Sequence, residues 1–435
     1  MTDIDVADAA APAPERPGGV AILGMGYVGL PTALGLHEAG VPVIGIDHSE
    51  RRLSEIRAGD VDLIDADQRR LDKALRQEDF QLTADPARLA DADAVMVCVP
   101  TPVDGHRLPD IEPLRSACRT VVEHARPGQT LILTSTSYVG TTEQLLVAPL
   151  RTRGLTAGAE VFVASSPERI DPGNVTHTQQ ETPRVVGGVT PECAARAVQV
   201  IKALTPKVHV VTSPEAAEMT KLLENSFRAV NIALANEFAD ICEDLALDPL
   251  EITRAAATKP YGFMAFQPGP GVGGHCIPCD PHYLLWQLRA ARKTAPLVDR
   301  AMTAIADRPG QVVNRVLETL SRAGRGLAGT RILIVGVAYK PGVRDVRSSS
   351  ALDIIDLLSG RGAEVGFHDA LVPEVRLADG SVAHSMPRPS GSDWDLVLIH
   401  TVHPGHDHDW IADCPLVVDT TYRLWPAVGA AAGRA

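Results

Sequence analysis

The sequence predicts an α/β protein in which two Rossmann-like, doubly wound parallel-sheet domains are joined by a central helical domain with one long helix. Three observations predict this fold. Apolar strand-like runs alternate with helical patterns in the first half of the chain, a helical pattern without proline or internal glycine covers residues 215–247, and the alternation resumes near residue 331. The three domains are expected at residues 18–212, 213–325 and 326–435.

Composition argues against two classes of partner. The chain has 435 residues, of which 45% are hydrophobic and 22% are charged, and its formal net charge is −13. An acidic surface does not attract nucleic acid or anionic membranes, and no apolar run approaches the roughly 20 residues that a bilayer requires. Seven scattered cysteines do not form a disulfide framework and indicate the reducing cytoplasm. Residues 1–17 lack the features of a signal peptide and are expected to be a disordered tail.

The first predicted element is a dinucleotide-binding βαβ unit. A strand over residues 20–23 leads into a G-x-G-x-x-G turn, which is followed by a helix and by a second strand that ends at Asp47. Gly24 would make the tight turn, Gly26 would let the pyrophosphate approach, and Gly29 would pack the helix on the sheet. Because the complete order of strand, turn, helix, strand and acid is present, this segment predicts a dinucleotide site.

Asp47 indicates which dinucleotide is bound. A carboxylate at this position binds the ribose hydroxyls and repels a 2′-phosphate, so NAD is favoured over NADP. Arg51 and Arg52 follow closely and could serve a 2′-phosphate. A flavin site or an empty Rossmann-like unit also fits the pattern.

Polar side chains follow two later strands of the predicted sheet. Thr136 follows the strand over residues 130–133, and Glu168 and Arg169 follow the strand over residues 161–164. The carboxyl ends of parallel strands are where active-site loops gather. These residues are therefore candidates for chemistry, although a glutamate in such a place often has a structural role.

The middle of the chain is predicted to be helical. On the long helix Lys221 and Asn225 are four residues apart, so they share a face and could reach one ligand. The alternative is a solvated lysine and a helix-surface asparagine. A second helical stretch is expected at about residues 281–320.

The last third of the chain repeats the first βαβ pattern without its glycine turn. A strand over residues 331–336, a helix over 350–358 and a strand over 363–367 are followed by Asp369. Tyr339 and Lys340 follow the first of these strands, with Arg344 and Arg347 nearby. These cations could bind a phosphate, so a second nucleotide-binding domain is predicted.

A glycine-dense loop over residues 268–280 carries the most specific chemical signal. It places the thiol of Cys276 four residues before the carboxylate of Asp280. Backbone N–H groups of such a loop can bind phosphate oxygens, so the loop predicts covalent chemistry on a nucleotide-linked substrate. The alternatives are a tight loop with an inert cysteine and a redox pair formed with Cys279.

A histidine cluster near residue 400 is a candidate metal site, and a structural zinc at the Cys276/Cys279 pair is disfavoured because no second Cys/His pair has the spacing of a zinc finger. The cluster comprises His400, His403, His406 and His408 with Asp407 and Asp409, and it follows a predicted strand. The segment is interpreted as a solvated loop, and no metal is predicted.

Together these residues resemble the UDP-glucose/GDP-mannose dehydrogenase family, the nucleotide-sugar 6-dehydrogenases, from about Gly19 to Leu424. The segment over residues 258–278 and the segment over residues 166–173 are most similar to the branch that acts on UDP-N-acetylglucosamine. The resemblance implies an NAD-dependent, four-electron oxidation of the C6 hydroxyl of UDP-N-acetylglucosamine or UDP-glucose to the uronic acid. UDP-N-acetylmannosamine or dTDP-glucose as substrate, a two-electron enzyme and a non-catalytic nucleotide-binding regulator are the alternatives.

The resemblance also implies the role of each catalytic residue. Cys276 would attack the C6 aldehyde and carry a thioester, and Asp280 would hold the water that takes the first proton. Lys221 would stabilise the alkoxide, and Glu168 and Asp280 would assist the hydrolytic water. Thr136 and Asn225 would position that water and the sugar.

Further binding residues follow from the same resemblance. The candidate NAD-binding residues are Gly24, Gly26, Tyr27, Val28, Gly29, Asp47, Arg52, Thr101, Thr136 and Arg347. The candidate substrate-binding residues are Glu168, Arg169, Lys221, Asn225, Phe266, Gly271, Gly273, Gly274, Tyr339 and Lys340. The central domain would form a homodimer. Thr421 stands where relatives usually have an arginine, which leaves a variant base or sugar open.

Overall fold

The computed structural model describes residues 18–170 and 178–423. The predicted tail over residues 1–17 lies outside this part of the chain. Contacts divide the protein into two compact units, and each is described separately. The first unit runs to Pro102 and continues over Asp110–Lys221, and the second comprises Val103–Pro109 and the chain from Leu222 onward. The three predicted domain boundaries remain predictions.

The first unit is built on an eight-stranded sheet with the order β3-β2-β1-β4-β5-β6-β7-β8. All neighbouring strands are parallel except β6 and β7. The strands are β1 Val20–Leu23, β2 Val43–Ile46, β3 Phe80–Thr83, β4 Ala94–Val97, β5 Thr130–Leu133, β6 Phe162–Ser165, β7 Arg184–Gly188 and β8 Val208–Val211.

Helices cover both faces of this sheet. In β1, Val20 and Ile22 pack in one hydrophobic cluster while Ala21 and Leu23 pack in another, because successive side chains of a strand point to opposite faces. Two buried faces explain why the strand is continuously apolar. The helices are α1 Gly29–Glu38, α2 Glu50–Ala58, α3 Asp65–Ala74, α4 Glu112–His124, α5 Ala148–Thr152 and α6 Pro191–Ile201, with a π-helical turn at Glu143–Val147.

The long predicted helix is α7, Pro214–Asp244, and the unit boundary falls within it. The second helical stretch, predicted as continuous over residues 281–320, consists instead of α9 (Asp280–Ala290) and α10 (Pro296–Arg322), preceded by α8 (Pro249–Ala257). The break has a local cause, since Arg292 has a left-handed φ of 55° and Pro296 begins the next helix.

The second unit contains a parallel four-stranded sheet with the order β10-β9-β13-β14. Its strands are β9 Arg331–Val335, β10 Glu364–His368, β13 Leu396–Ile399 and β14 Val417–Asp419, with α11 at Ser350–Ser359. A small antiparallel ribbon is formed by β11 Glu374–Arg376 and β12 Val382–His384. The predicted fold class is confirmed. Within the described ranges, no helix is both long enough and apolar enough to span a membrane.

Candidate active site

The glycine turn after β1 has two glycines that the fold requires and one that it does not. Gly24 has a left-handed φ of 97°, and a Cβ there would lie 2.6 Å from the carbonyl oxygen of Cys98. A Cβ on Gly29 would lie 1.8 Å from the carbonyl oxygen of Gly24. A Cβ on Gly26 would meet no protein atom within 4 Å. The space above Gly26 is therefore open to a ligand, as a pyrophosphate-binding turn requires.

Asp47 and Arg52 hold this turn from the next strand and helix. The Asp47 carboxylate accepts hydrogen bonds from the amides of Met25 and Ser49, both at 2.9 Å. The Arg52 Nε–H donates to the Met25 carbonyl at 2.9 Å. Arg52 thus binds the turn itself, while Asp47 keeps a partly exposed carboxylate at the end of β2. These residues fit the ribose and pyrophosphate of a dinucleotide.

The remaining predicted NAD contacts of the first unit flank this turn and β4. Tyr27 is exposed, and Val28 and Thr101 are half-buried.

Glu168 follows β6 and lies in a buried ion pair. Its carboxylate accepts hydrogen bonds from its neighbours' amides, Arg169 at 2.7 Å and Ile170 at 3.0 Å. The second oxygen pairs with Arg184 on β7, which also donates to the Ser166 carbonyl at 3.1 Å. Sequence reasoning missed Arg184. The available signal was a charged residue at the start of an otherwise apolar strand.

Glu218 connects the loop of Thr136 to helix α7 within the first unit. It is buried and accepts hydrogen bonds from the amides of Gly140 at 2.6 Å and Thr142 at 2.8 Å, and from the Thr142 hydroxyl at 2.6 Å. Burial raises the pKa of Glu218, and these hydrogen bonds oppose that rise. Lys221 lies one turn further along and is also buried, contrary to a solvated lysine. Glu218 was another residue that sequence reasoning missed.

Cys276, Asp280 and Asn225 come together in the second unit. Asp280 begins α9, and its amide donates to the Cys276 carbonyl at 2.8 Å. The buried Asn225 side-chain amide donates to the Asp280 carboxylate. Cys276 is exposed, whereas burial raises the pKa of Cys279 to about 11. The Cys276 thiol is therefore the accessible nucleophile of this loop, and a Cys279 thiolate is disfavoured.

The glycines of the Cys276 loop pack against the chain's own segment over residues 339–350. A Cβ on Gly273 would lie 2.6 Å from both the Ser348 carbonyl oxygen and the Tyr339 side chain. Gly274 donates to the Arg347 carbonyl at 3.0 Å, and a Cβ on Gly271 would lie 2.5 Å from the Ser350 side chain. Close packing within the protein explains these three glycines, and their contact with substrate remains a prediction.

The other predicted binding residues of the second unit lie on this segment and before the loop. The Arg347 guanidinium donates to the Asp345 carboxylate at 2.8 and 2.9 Å, so its charge is already paired. The Lys340 ammonium lies 5.7 Å from the centre of the Tyr339 ring. Phe266 packs edge-to-face on Phe227 with ring centres 6.0 Å apart.

The interpretation of the histidine cluster as a solvated loop is wrong for two of its members. His400 and His403 are buried, whereas His406 and Asp407 are exposed. His400 bonds to the hydroxyl of Ser350 at 2.8 Å. Across the described residues, no group of three or more His, Cys, Asp or Glu side chains is arranged to hold a metal ion. The buried pair has instead a structural hydrogen-bonding role, because burying an imidazole requires partners for its nitrogens.

The glycine turn of the first unit is typical of a dinucleotide-dependent oxidoreductase, and the second unit carries an exposed thiol at Cys276. Three family models match successive parts of the chain. They describe the NAD binding domain at residues 19–205, the central domain at 215–307 and the UDP binding domain at 333–424 of one family. The chain belongs to the UDP-glucose/GDP-mannose dehydrogenase family, and it is an NAD-dependent nucleotide-sugar dehydrogenase.

Relatives of known activity agree with this family. The UDP-N-acetyl-D-mannosamine dehydrogenase of Escherichia coli K12 is 35% identical over 351 residues, which cover 78% of this chain and 82% of that protein. The solved UDP-D-ManNAc dehydrogenase of Pyrococcus horikoshii aligns with a TM-score of 0.85 and 31% identity, covering 92% and 95% of the two chains. A UDP-glucose dehydrogenase structure from Pyrobaculum islandicum aligns with a TM-score of 0.81 and 26% identity, covering 95% and 96%. The predicted family and cofactor are confirmed.

Proposed function

We propose that this enzyme oxidises the C6 hydroxyl of UDP-N-acetyl-D-mannosamine to a carboxylate, removing four electrons per sugar. The observation that carries the four-electron reaction is the exposed thiol of Cys276, four residues before Asp280, whose carboxylate accepts a hydrogen bond from Asn225. The relatives from Escherichia coli and Pyrococcus horikoshii, both UDP-N-acetyl-D-mannosamine dehydrogenases, support the sugar. UDP-N-acetylglucosamine and UDP-glucose, the first sugars implied by the sequence, are therefore second candidates.

The thiol is needed because a free aldehyde is a poor hydride donor. When Cys276 sulfur adds to the C6 aldehyde, a C–S bond forms and the carbonyl oxygen takes up a proton, giving a thiohemiacetal whose C6 again carries hydride and hydroxyl. NAD, when bound, supplies the hydride acceptor for both oxidations. Water then adds to the resulting thioester, the C–S bond breaks, and the carboxylate and the Cys276 thiolate are released.

Charged groups on the protein would stabilise and deprotonate the reacting oxygens. We assign Lys221 to the developing alkoxide, where a fixed cation lowers the barrier. We assign Asp280 to the first proton, taken through water, and Glu168 to the hydrolytic water. Arg184 and two backbone amides hold the Glu168 carboxylate in one orientation, which supports a positioned base.

The covalent step is tested by comparing Cys276→Ser with Cys279→Ala. We expect Cys276→Ser to lose uronate formation by roughly a thousandfold or more, because an alcohol is a much weaker nucleophile at neutral pH. Cys279→Ala, which removes the buried neighbour, should still yield two NADH per sugar. Uronate formation by Cys276→Ser at the wild-type rate would contradict the thioester route.

The sugar is tested by NADH production from a panel of nucleotide sugars. We expect the highest kcat/KM with UDP-N-acetyl-D-mannosamine over UDP-N-acetylglucosamine, UDP-glucose and dTDP-glucose. A preference for UDP-N-acetylglucosamine would support instead the resemblance of residues 258–278 to that branch. Absence of turnover with every sugar, in protein that binds NAD, would favour a non-catalytic nucleotide-binding regulator.

We also propose that the enzyme is a cytoplasmic homodimer. The part of α7 that lies in the second unit exposes a row of large apolar side chains at helical spacing, and exposed apolar rows of this kind are typical of interfaces. They are Leu223, Phe227, Leu234, Phe238 and Ile241. Light scattering at micromolar protein should give twice the chain mass of 46.2 kDa, and Phe238→Glu should shift it toward the monomer.

A further inference from the structure

Two buried residues, His403 and Asp369, lie beneath the turn that carries Tyr339 and Lys340. The Gly342 amide donates to His403 Nδ1 at 3.0 Å. His403 Nε2 lies 3.1 Å from one Asp369 carboxylate oxygen and 3.2 Å from the other. Because Nδ1 accepts a hydrogen bond, the ring proton belongs on Nε2, which donates to Asp369. The turn is therefore connected through one imidazole to a buried carboxylate.

Asp369 is itself fixed by backbone amides on both sides. Its Oδ2 accepts from Val337 at 2.7 Å and Ala338 at 3.2 Å, and its Oδ1 accepts from Leu371 at 2.8 Å and Val372 at 2.9 Å. Burial opposes ionisation, but the hydrogen bond from His403 and these amides hold the Asp369 pKa far below its usual range. Asp369 therefore provides a rigid anchor for the imidazole, and His403 transmits that rigidity to Gly342.

The anchored turn has neighbours that matter for the reaction. Tyr339 is the residue against which Gly273 and Gly274 pack, so the turn also lies against the loop of Cys276. The family model that covers this region describes a UDP binding domain. Lys340, two residues before the anchored Gly342 amide, is the cation that a diphosphate would meet there.

We propose that His403 is a positioning residue for nucleotide binding, which holds the Gly342 amide through Nδ1 and thereby fixes the turn of Tyr339 and Lys340. The inference deepens the proposed function, since it rests on these two residues contacting the nucleotide sugar. The proposed role belongs to Nδ1, which accepts from Gly342, and not to Nε2, which donates to Asp369. Asp369 would still have four backbone donors if His403 were replaced.

The acceptor role is tested with two variants that each keep one half of the imidazole's function. In His403→Asn, Oδ1 takes the place of Nδ1 and can still accept from Gly342, but no donor reaches Asp369. In His403→Gln, the longer amide can donate to Asp369 but leaves the Gly342 amide without its acceptor. We expect the Kd for UDP, measured by calorimetry, to rise about tenfold in His403→Gln and about twofold or less in His403→Asn. Hydrogen exchange of a peptide covering residues 339–347 should accelerate in the same order.

A matched control separates positioning from general destabilisation. His37 and Asp79 form another histidine–carboxylate pair, in the first unit, with Nε2 and Oδ1 3.0 Å apart. His37→Gln should weaken that pair and leave the UDP Kd unchanged, and neither His403 variant should change the Kd for NAD. Equal UDP Kd values in wild type and His403→Gln, equal weakening in both His403 variants, or no UDP binding by the wild type would each overturn the proposal. UDP binding needs no turnover, so the proposed reaction can fail while this inference is still decided.

Discussion

The residues that follow β1 in the first unit and β9 in the second unit make the same pattern of backbone hydrogen bonds. Gly24 donates to the Ile46 carbonyl at 2.8 Å, and Gly336 donates to the His368 carbonyl at 2.7 Å. Each glycine has a left-handed φ, 97° and 79°, and each is followed by a residue whose amide binds the acid after the neighbouring strand. These acids are Asp47 and Asp369. The two βαβ beginnings are therefore equivalent in their backbone.

The difference lies in what surrounds the two acids. The Asp47 side chain is 12% exposed and has two backbone donors, whereas Asp369 is 0% exposed and has four backbone donors and His403. A carboxylate with spare acceptor capacity and solvent access can bind ribose hydroxyls, and one without either cannot. An acid at the same position is thus available to a ligand in one sheet and committed to the fold in the other.

Removing each acid in turn should give the largest difference between the two sheets. We expect Asp369→Ala to lower the free energy of unfolding by roughly 3–5 kcal/mol, because five donors, four of them in buried hydrogen bonds, lose their acceptor. Asp47→Ala should cost only about 1–2 kcal/mol but raise the KM for NAD strongly. Urea unfolding and NAD titration measure the two effects. Similar losses of stability in both variants would show that the acids are not used differently.

Substitutions in the glycine turn after β1 should have smaller effects on stability than Asp369→Ala. Gly29→Ala should destabilise the protein by roughly 2–3 kcal/mol, since its Cβ would meet backbone at 1.8 Å. Gly26→Ala should change stability by less than about 1 kcal/mol and weaken NAD binding by roughly tenfold or more, because its Cβ would occupy ligand space. Thermal unfolding with and without NAD distinguishes them, and unaltered NAD affinity in Gly26→Ala would place the cofactor elsewhere.

The loss of folding stability at acidic pH should come partly from His400, which follows β13 in the second unit. Burial lowers the pKa of His400 to about 3, so the unfolded chain binds a proton there between roughly pH 6.5 and 3 while the folded protein does not. The His400 contribution to stability is therefore complete above pH 6.5 and falls as the pH decreases through that window. Between pH 7 and pH 5 the loss should be about 2 kcal/mol.

His400→Gln supplies the comparison for this pH effect. It retains polar atoms for Ser350 but does not titrate, so the difference between wild type and variant should shrink from pH 7 to pH 5. Asp369 does not interfere, because its stabilisation is lost only below about pH 4, the usual aspartate range. An unchanged difference at the two pH values would mean that His400 does not titrate as described.

The sequence predicted elements whose signal is local. The glycine turn, the strand ending at Asp47 and the long helix follow from spacing over fewer than about 35 residues, and all three are present in the structure. Thr136, Glu168 and Cys276 were chosen from strand ends and from loop composition, which are also local features.

The partners of the candidate residues could not be predicted in this way. Glu218 meets Thr142 across 76 positions, and His403 meets Asp369 across 34. The spacing of apolar residues along a helix does not indicate which of its carboxylates will bind the amides of a distant loop. The histidine cluster was misinterpreted for the same reason, since burial of His400 depends on how β13 packs against α11.

Because one cysteine thiol is exposed, the protein can be labelled selectively at that residue. All seven cysteines lie in the part of the chain that the structure describes, and six are buried. Burial raises the pKa of Cys98 and of Cys118 to about 12, so these thiols are protonated at neutral pH. An electrophilic reagent should therefore label the intact protein once, at Cys276. A fluorophore or a mass tag attached there would count the molecules that have an accessible Cys276 thiol, and slower labelling in the presence of substrate would report occupancy of the site without any mutation.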